Sequence, residues 1–453
     1  MTADLAPGAL TRACAQVRAA GADDAVAGVV PRFVARPGDV AEAAAVLRAA
    51  AAEGLTAVPR GAGTRLAWGS PPTRCDLVID TQGLNRVLEH AAGDLVVRVQ
   101  AGVGMDQLAQ VLAAAGQRLA LDPPPTSPSP LAGDTVGGVL ATGVAGPLRL
   151  RYGTPRDLAI GITVVRADGT VARSGGKVVK NVAGYDLGKL FAGSYGTLGL
   201  IVEAAFRLHP LPGATSFVTL DAADAAAAYA VVAAAASSPL APSAAEIDRP
   251  TRPAPIRVGI LLEGDPDGVA ERSARMTELL GGVASVSPVP PDWWGRGAAA
   301  AGDGTVIRIA FWAAALAEVL GAIDAAASAA GLDPVVSGSA AAGVIYAAVD
   351  ESAPPAAVSR FVTGLRTVLA GSVLSSPAPA TAPSPAGAPS AGSLSPAGIP
   401  PSRASAVVLH APAEVRAAVD LWGPVAALGL MRAVKDQFDP GHRMAPGRFA
   451  GGI

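Results

Sequence analysis

Cysteine is nearly absent from this sequence: Cys14 and Cys75 are the two in 453 residues. Two thiols supply neither a disulfide framework nor the ligand set of an iron–sulfur cluster. Histidine is almost as scarce, with His90, His209, His410 and His442. None of them stands at the His-x-His or His-Glu-x-x-His spacing that gathers a metal, so no metal site is expected. Charge of one sign is also lacking, since Lys+Arg 35 against Asp+Glu 37 leaves a formal net charge of −2. Without a basic excess, nucleic acid is not expected as a partner. No basic segment followed by an apolar run precedes Asp24, so no export signal is expected. The best candidate for a membrane span is the uncharged stretch between Asp224 and Glu246, but it is mostly alanine and contains Pro239 and Pro242. A soluble, cytoplasmic protein is the expectation.

What is present is enough apolar sequence for real cores, 51% of residues, with a large loop allowance in Gly 53 and Pro 39. Up to about Pro212 helix and strand signals alternate. Asp39 and Glu42 read as the start of a helix that stops at Gly54. Strands are predicted over 55–59, 77–80, 95–100 and 198–208, a helix over 105–115, and a hairpin over 158–173 around Asp168-Gly169. From Thr215 to Leu369, strands at 216–220, 258–263 and 305–311 alternate with alanine-rich helices at 222–236, 313–330 and 356–369. Residues 375–402 carry no charge and repeat Pro, Ala, Ser and Gly, the composition of a linker or inserted loop. The predicted division is a lead-in over 1–30, a first domain over 31–212, an α+β domain over 213–372, a linker over 373–403, and a segment over 404–453 that packs back on the first domain.

Two glycine-rich elements carry the chemistry. In Pro59-Arg60-Gly61-Ala62-Gly63-Thr64 a strand runs into a turn whose successive N–H groups are unobstructed by side chains. Such a nest suits a pyrophosphate, with Arg60 and Thr64 as further donors; an ordinary glycine turn is the competing reading. The second element runs from Asp134 to Gly143 through Thr135, Gly137, Gly138 and Thr142, some 70 residues later, so the two share no single βα turn. Two phosphate-friendly loops suggest a long diphosphate ligand laid across the fold, while neither matches a G-x-G-x-x-G dinucleotide fingerprint. Ser194 is not in a nucleophile elbow, because no glycine lies two residues before it. Trp293-Trp294 reads as a loop anchor or a partner-facing patch.

Downstream come Lys177-Val178-Val179-Lys180-Asn181-Val182-Ala183-Gly184-Tyr185-Asp186, then Gly193-Ser194-Tyr195-Gly196-Thr197-Leu198-Gly199. With the two glycine loops, with Gly146-Pro147-Leu148-Arg149-Leu150-Arg151-Tyr152-Gly153, and with the closing Phe438-Asp439-Pro440 and Ala445-Pro446-Gly447-Arg448-Phe449, they resemble the vanillyl-alcohol-oxidase/PCMH-type FAD-binding flavoproteins. Within that family the likeness is to one FAD-binding subunit of glycolate oxidase, from about Phe33 to Pro212 and again at the C-terminus. The resemblance implies an α+β fold in which a two-part PCMH-type FAD-binding domain precedes a smaller cap-like α+β domain. It implies non-covalent FAD, with its pyrophosphate on Arg60, Gly61, Ala62, Gly63 and Thr64. Thr135, Gly137, Gly138, Thr142 and Gly143 would line the middle of the cofactor. Ile201 and Val202 would meet its adenine end, and Lys180, Asn181 and Tyr185 would lie near the flavin. Ala445 and Thr142 stand where the family often has Asn, and Tyr195 where catalytic relatives are often acidic. The implied activity is oxidation of a small 2-hydroxy acid such as glycolate, beside a second flavoprotein subunit and an iron–sulfur subunit, with the membrane reached only through partners. The alternatives are a non-catalytic FAD-holding or electron-relay subunit, or a stand-alone FAD-dependent alcohol oxidase. No catalytic residue is assigned.

Overall fold

The computed structural model of the chain describes residues 8–125, 133–176, 187–297, 302–371 and 404–453. The whole predicted linker, and Lys180, Asn181 and Tyr185, lie outside the described residues.

The first domain is built on two sheets. In a four-stranded sheet, Leu77–Asp80 lies between Phe33–Ala35 and Ala57–Arg60, parallel to both, and Val17–Ala19 adds an antiparallel edge. A five-stranded antiparallel sheet follows the order Val87–Ala91, Val96–Gln100, Leu200–Arg207, Ala159–Val165, Val171–Gly175. The predicted hairpin is its edge, turning at Gly169 with φ +80°. Helix Val40–Ala52 joins the sheets. Asp39 caps it by accepting from the Glu42 N–H at 2.8 Å, a contact worth about 1 kcal/mol. Its Ala43, Val46 and Leu47 share one apolar core with Leu77 and Ile79 of the first sheet and with Leu200 and Val202 of the second.

An eight-stranded antiparallel sheet forms the second layer, in the order Ser285–Ser287, Ala214–Ala222, Ile256–Gly264, Ala244–Arg249, Val335–Ser339, Val344–Val349, Thr305–Phe311, Ala404–His410. Period-two alternation divides its faces. Ile307, Ile309 and Phe311 point into a core covered by helices Ala225–Ser237, Leu316–Ala330 and Pro355–Gly371. Ala313–Ala330 is, among the described residues, long and apolar enough to cross a membrane, and half of it is buried in this core. The opposite face fronts the first domain, where Val306, Tyr346 and Leu409 pack with Trp68, Val139 and Val144.

The layers are clamped by Arg118, whose two terminal nitrogens donate to the Glu263 carboxylate at 2.7 and 2.8 Å while its guanidinium lies 5.1 Å from the Tyr152 ring centre. Burial works to raise the Glu263 carboxyl, but Arg118 outweighs it and holds the group below its usual range.

Two features differ from the sequence reading. Segment 404–453 does not serve the first domain alone, because Ala404–His410 is an edge strand of the large sheet. Strand Ala244–Arg249 escapes a pattern search because it is buried along its whole length while carrying Glu246, Asp248 and Arg249. The Trp pair is resolved as an anchor: Trp293 is buried over Gly259, where an added Cβ would lie 2.8 Å from its ring.

Candidate functional site

Strand Ala57–Arg60 ends where the glycine loop begins, and the loop faces the N-terminus of helix Val136–Thr142. Gly61 makes that approach possible, since a Cβ there would overlap Thr135 Oγ1 and meet its Cβ at 3.2 Å. Gly63 has φ +83°, a left-handed conformation that costs a side-chain-bearing residue roughly 1–2 kcal/mol. Among the described residues the N–H groups of Gly61, Ala62, Gly63 and Thr64 donate to no protein acceptor. Four consecutive unspent donors at the end of a strand form an anion nest.

Between loop and helix lies a cleft of about 560 Å³, walled by Arg60 to Leu66, Thr135, Gly138, Thr142, Tyr195 and Arg448. It shares Arg60, Gly61, Gly138 and Gly196 with a second hollow of about 350 Å³ that extends past Gly137 and Thr81 to Ile201. The two form one elongated channel, suited to a ligand longer than either part.

The residues singled out from sequence divide into three groups. Gly61, Ala62, Gly63, Thr64, Thr135, Gly137, Gly138, Thr142 and Ile201 all line the channel. Arg60 also lines it, but its guanidinium turns away to Asp24 at 3.0 Å and Asp80 at 3.4 Å. Each carboxylate takes one terminal nitrogen, so Arg60 anchors the loop from behind. Thr64 likewise spends its hydroxyl on Asp134 at 2.6 Å, and Thr142 spends its own on the Gly138 carbonyl at 2.7 Å. Gly143 and Val202 fall outside the channel lining. The first closes the helix with φ +64°, and the second is buried in the core with its carbonyl accepting from the Ala101 N–H at 2.9 Å.

Sequence reasoning assigned no role to Arg65, Tyr195 or Arg448, which meet at the channel's other end. Arg448 is 3% exposed and donates through Nη2 to the Leu66 and Trp68 carbonyls at 2.9 and 2.7 Å. Its Nε and Nη1 are buried with no hydrogen-bond partner among the described residues, and burial pulls its pKa down to about 10. An orphaned guanidinium edge this deeply buried is costly unless a ligand accepts from it. Arg65 pairs with Asp134 and donates to the Pro124 carbonyl at 2.7 Å. Tyr195 holds φ +55°, with its ring 5.4 Å from Trp422 and 5.8 Å from Phe449. Burial raises its phenol, against the pull of Arg308, Arg448 and Arg65.

The C-terminal tail is locked in place behind Arg448. Lys435, fully buried, donates to Asp439 and to the Thr197 carbonyl at 2.7 Å each, and to the Met444 carbonyl at 2.9 Å. Ala445 follows at φ +44°. Asn is the side-chain-bearing residue that visits this region most readily, which explains why the resembled family often places Asn here.

The donors suit an elongated anionic ligand with acceptor atoms at its far end. FAD, with a central diphosphate and a carbonyl-bearing ring system, has that chemistry, and the residues present fit it.

Comparison with known proteins points the same way. Residues 31–175 match the FAD binding domain family. Subunit GlcD of glycolate oxidase from Bacillus subtilis is 37% identical over 183 residues, 40% of this chain and 38% of that protein. A D-2-hydroxyglutarate dehydrogenase from Xanthomonas citri is 35% identical over 42% of this chain and 39% of its own length. Subunit GlcE of glycolate oxidase from Escherichia coli is 34% identical over 35% of this chain and 43% of its own length. The chain thus spans about two fifths of the length of these relatives. Among solved structures, p-cresol methylhydroxylase with substrate bound superposes with a TM-score of 0.67 at 16% identity, covering 97% of this chain and 95% of that one. An alkyldihydroxyacetonephosphate synthase gives 0.64 at 16% identity, over 93% and 78%. Residues 31–175 therefore match an FAD-binding domain, in a chain that shares its overall fold with p-cresol methylhydroxylase.

Proposed function

We propose that the chain holds FAD non-covalently along this channel and oxidises a small 2-hydroxy acid, glycolate to glyoxylate, within an assembly containing a second flavoprotein and an iron–sulfur subunit. The observation that carries the reading is the run of four unspent N–H groups from Gly61 to Thr64 facing a channel whose far end holds the orphaned edge of Arg448. The loop amides hold the diphosphate, Gly61 lets it sit against the helix start, and Arg448 donates to acceptor atoms of the ring system. No His or Cys is among the described residues that line the channel, which supports non-covalent attachment. Bound FAD supplies the two-electron acceptor for the hydroxy-acid carbon. The chain's own part is orientation and the exclusion of water by the Trp68–Tyr346 interface. Likeness to GlcD and GlcE, two subunits of glycolate oxidases, supports the substrate class and the assembly.

The test is to identify the flavin released on denaturation and then to mix the loaded protein with glycolate without oxygen. Release of FAD and bleaching of the visible flavin band are expected. Recovery of FMN, or of no flavin, refutes the channel assignment. FAD release without bleaching leaves a cofactor-holding subunit that does not itself oxidise glycolate. Arg448→Met should weaken FAD binding by about 1.5–3 kcal/mol, the range for a hydrogen bond to a charged donor, and Arg448→Lys by less.

A further inference from the structure

We infer that Arg308, on the sheet face opposite the channel's Tyr195 end, holds the carboxylate of the substrate, with the Tyr346 hydroxyl as a second donor. This rests on the functional reading above and assigns the substrate end of the same site.

Placement comes first. Ile307 and Ile309 point into the helix-covered core, whereas Val306 belongs to the apolar cluster shared with Trp68, Val139 and Tyr346, against which Tyr195 packs. Strand alternation puts Arg308 on that same cofactor-facing side. Register sets it directly opposite Tyr346 on one neighbouring strand and Val407 on the other. Its charge acts on Tyr195, which lines the channel.

Its state is the second observation. Arg308 is half-buried, yet its guanidinium has no hydrogen bond, ion pair or ring contact among the described residues. Other arginines are engaged: Arg65 by Asp134 and the Pro124 carbonyl, Arg149 by the Gly146 carbonyl and the Tyr346 hydroxyl, and Arg257, farther along the same sheet face, by Asp248. A partly desolvated cation left open in this way is paid for by a ligand anion.

Chemistry then selects the anion. The Tyr346 hydroxyl accepts from Arg149 Nη2 at 3.3 Å, so its own proton remains available to donate. A planar guanidinium beside one O–H donor matches the two oxygens of a carboxylate. The apolar walls of Val306, Val344 and Trp68 suit a small organic acid.

The experiment uses the full-length, FAD-loaded protein and oxalate, a dicarboxylate that the flavin cannot oxidise by hydride loss, read by perturbation of the visible flavin spectrum. Oxalate should perturb the wild-type spectrum. Arg308→Met should weaken oxalate binding about tenfold or more, Arg308→Lys and Tyr346→Phe less, with FAD content and reduction by dithionite unchanged. With glycolate, Arg308→Met should raise KM more than it lowers kcat. Wild-type oxalate affinity in Arg308→Met overturns the assignment, as does a loaded wild-type protein whose spectrum ignores oxalate or responds equally to sulfate. If Arg308→Met does not fold, undiminished oxalate affinity in both Tyr346→Phe and Arg308→Lys overturns it. Failure of the wild-type chain to hold FAD overturns the functional reading, and this inference with it.

Discussion

Glu246 should make the protein lose stability as the pH rises, and Glu246→Gln should abolish that loss. The carboxyl is 3% exposed on the central strand Ala244–Arg249, hydrogen-bonded to Ser339. Burial pushes its pKa from an ordinary 4.5 up to about 8; the Ser339 contact and the Arg149 charge oppose this, and Asp122 and Asp248 add repulsion. The folded protein therefore keeps this proton between about pH 4.5 and pH 8 while the unfolded chain has lost it. Stability is fully present below pH 4.5, falls by about 1.4 kcal/mol per pH unit through the window, and is flat above it. The ceiling is about 5 kcal/mol. Asp122, pushed up to about 7 by burial, works in the same direction but is common to both proteins. Glutamine keeps the shape and the Ser339 hydrogen bond and carries no proton to lose. Thermal melting of both proteins from about pH 5 to pH 9 is the assay. Relative to wild type, Glu246→Gln should gain progressively up to pH 8, by a few degrees at roughly 1 °C per kcal/mol for a chain of this length, and then run parallel. Curves that stay parallel from pH 5 to pH 8 would show that Glu246 is ionised and paired in the folded protein, and the burial argument would fail.

Two further outcomes follow from the site. Gly61→Ala should lose FAD because its Cβ overlaps Thr135 Oγ1, whereas Gly63→Ala, with only Arg60 Cδ nearby at 3.9 Å, should chiefly lower the melting temperature of the apo protein by the cost of its positive φ, about 1 kcal/mol; titrating both apo variants with FAD separates the two effects, and equal affinities would contradict the close-approach argument. Lys435→Met leaves the fully buried Asp439 carboxylate without its cation and should cost about 3–5 kcal/mol of stability. Adding Asp439→Asn should recover part of that loss in chemical denaturation, and a double variant no better than the single one would contradict the buried-charge account.

Local chemistry was legible wherever one segment carries its own instruction. The cap at Asp39, the Asp168-Gly169 hairpin and strand Thr305–Phe311 lie where the pattern placed them, because turns, caps and alternation are set by neighbouring residues. The two glycine loops were legible as a pair, since small residues at the end of a strand and the start of a helix leave little but close approach as their purpose. Strand Ala244–Arg249 was not, because its charges are compensated by residues on other elements, Arg257, Asp324 and Ser339, and a pattern search reads such charges as exposed.

Thus the sequence by itself pointed to two glycine loops suited to a long diphosphate ligand, and to the backbone positions that must lack a side chain to admit it. What each cation does was decided by the tertiary structure alone. Arg60, the obvious phosphate partner from its place in the loop, is taken by Asp24 and Asp80, which lie 36 and 20 residues away. Arg448, in the closing motif, reaches back across the chain to Leu66 and Trp68 and keeps an edge free. Arg308 is left open on a sheet face where Arg257 is closed. A backbone nest depends on local φ and ψ, which neighbouring residues set. A guanidinium on a long flexible stem goes to whichever acceptors the folded chain brings within reach, and those are fixed only when distant strands meet.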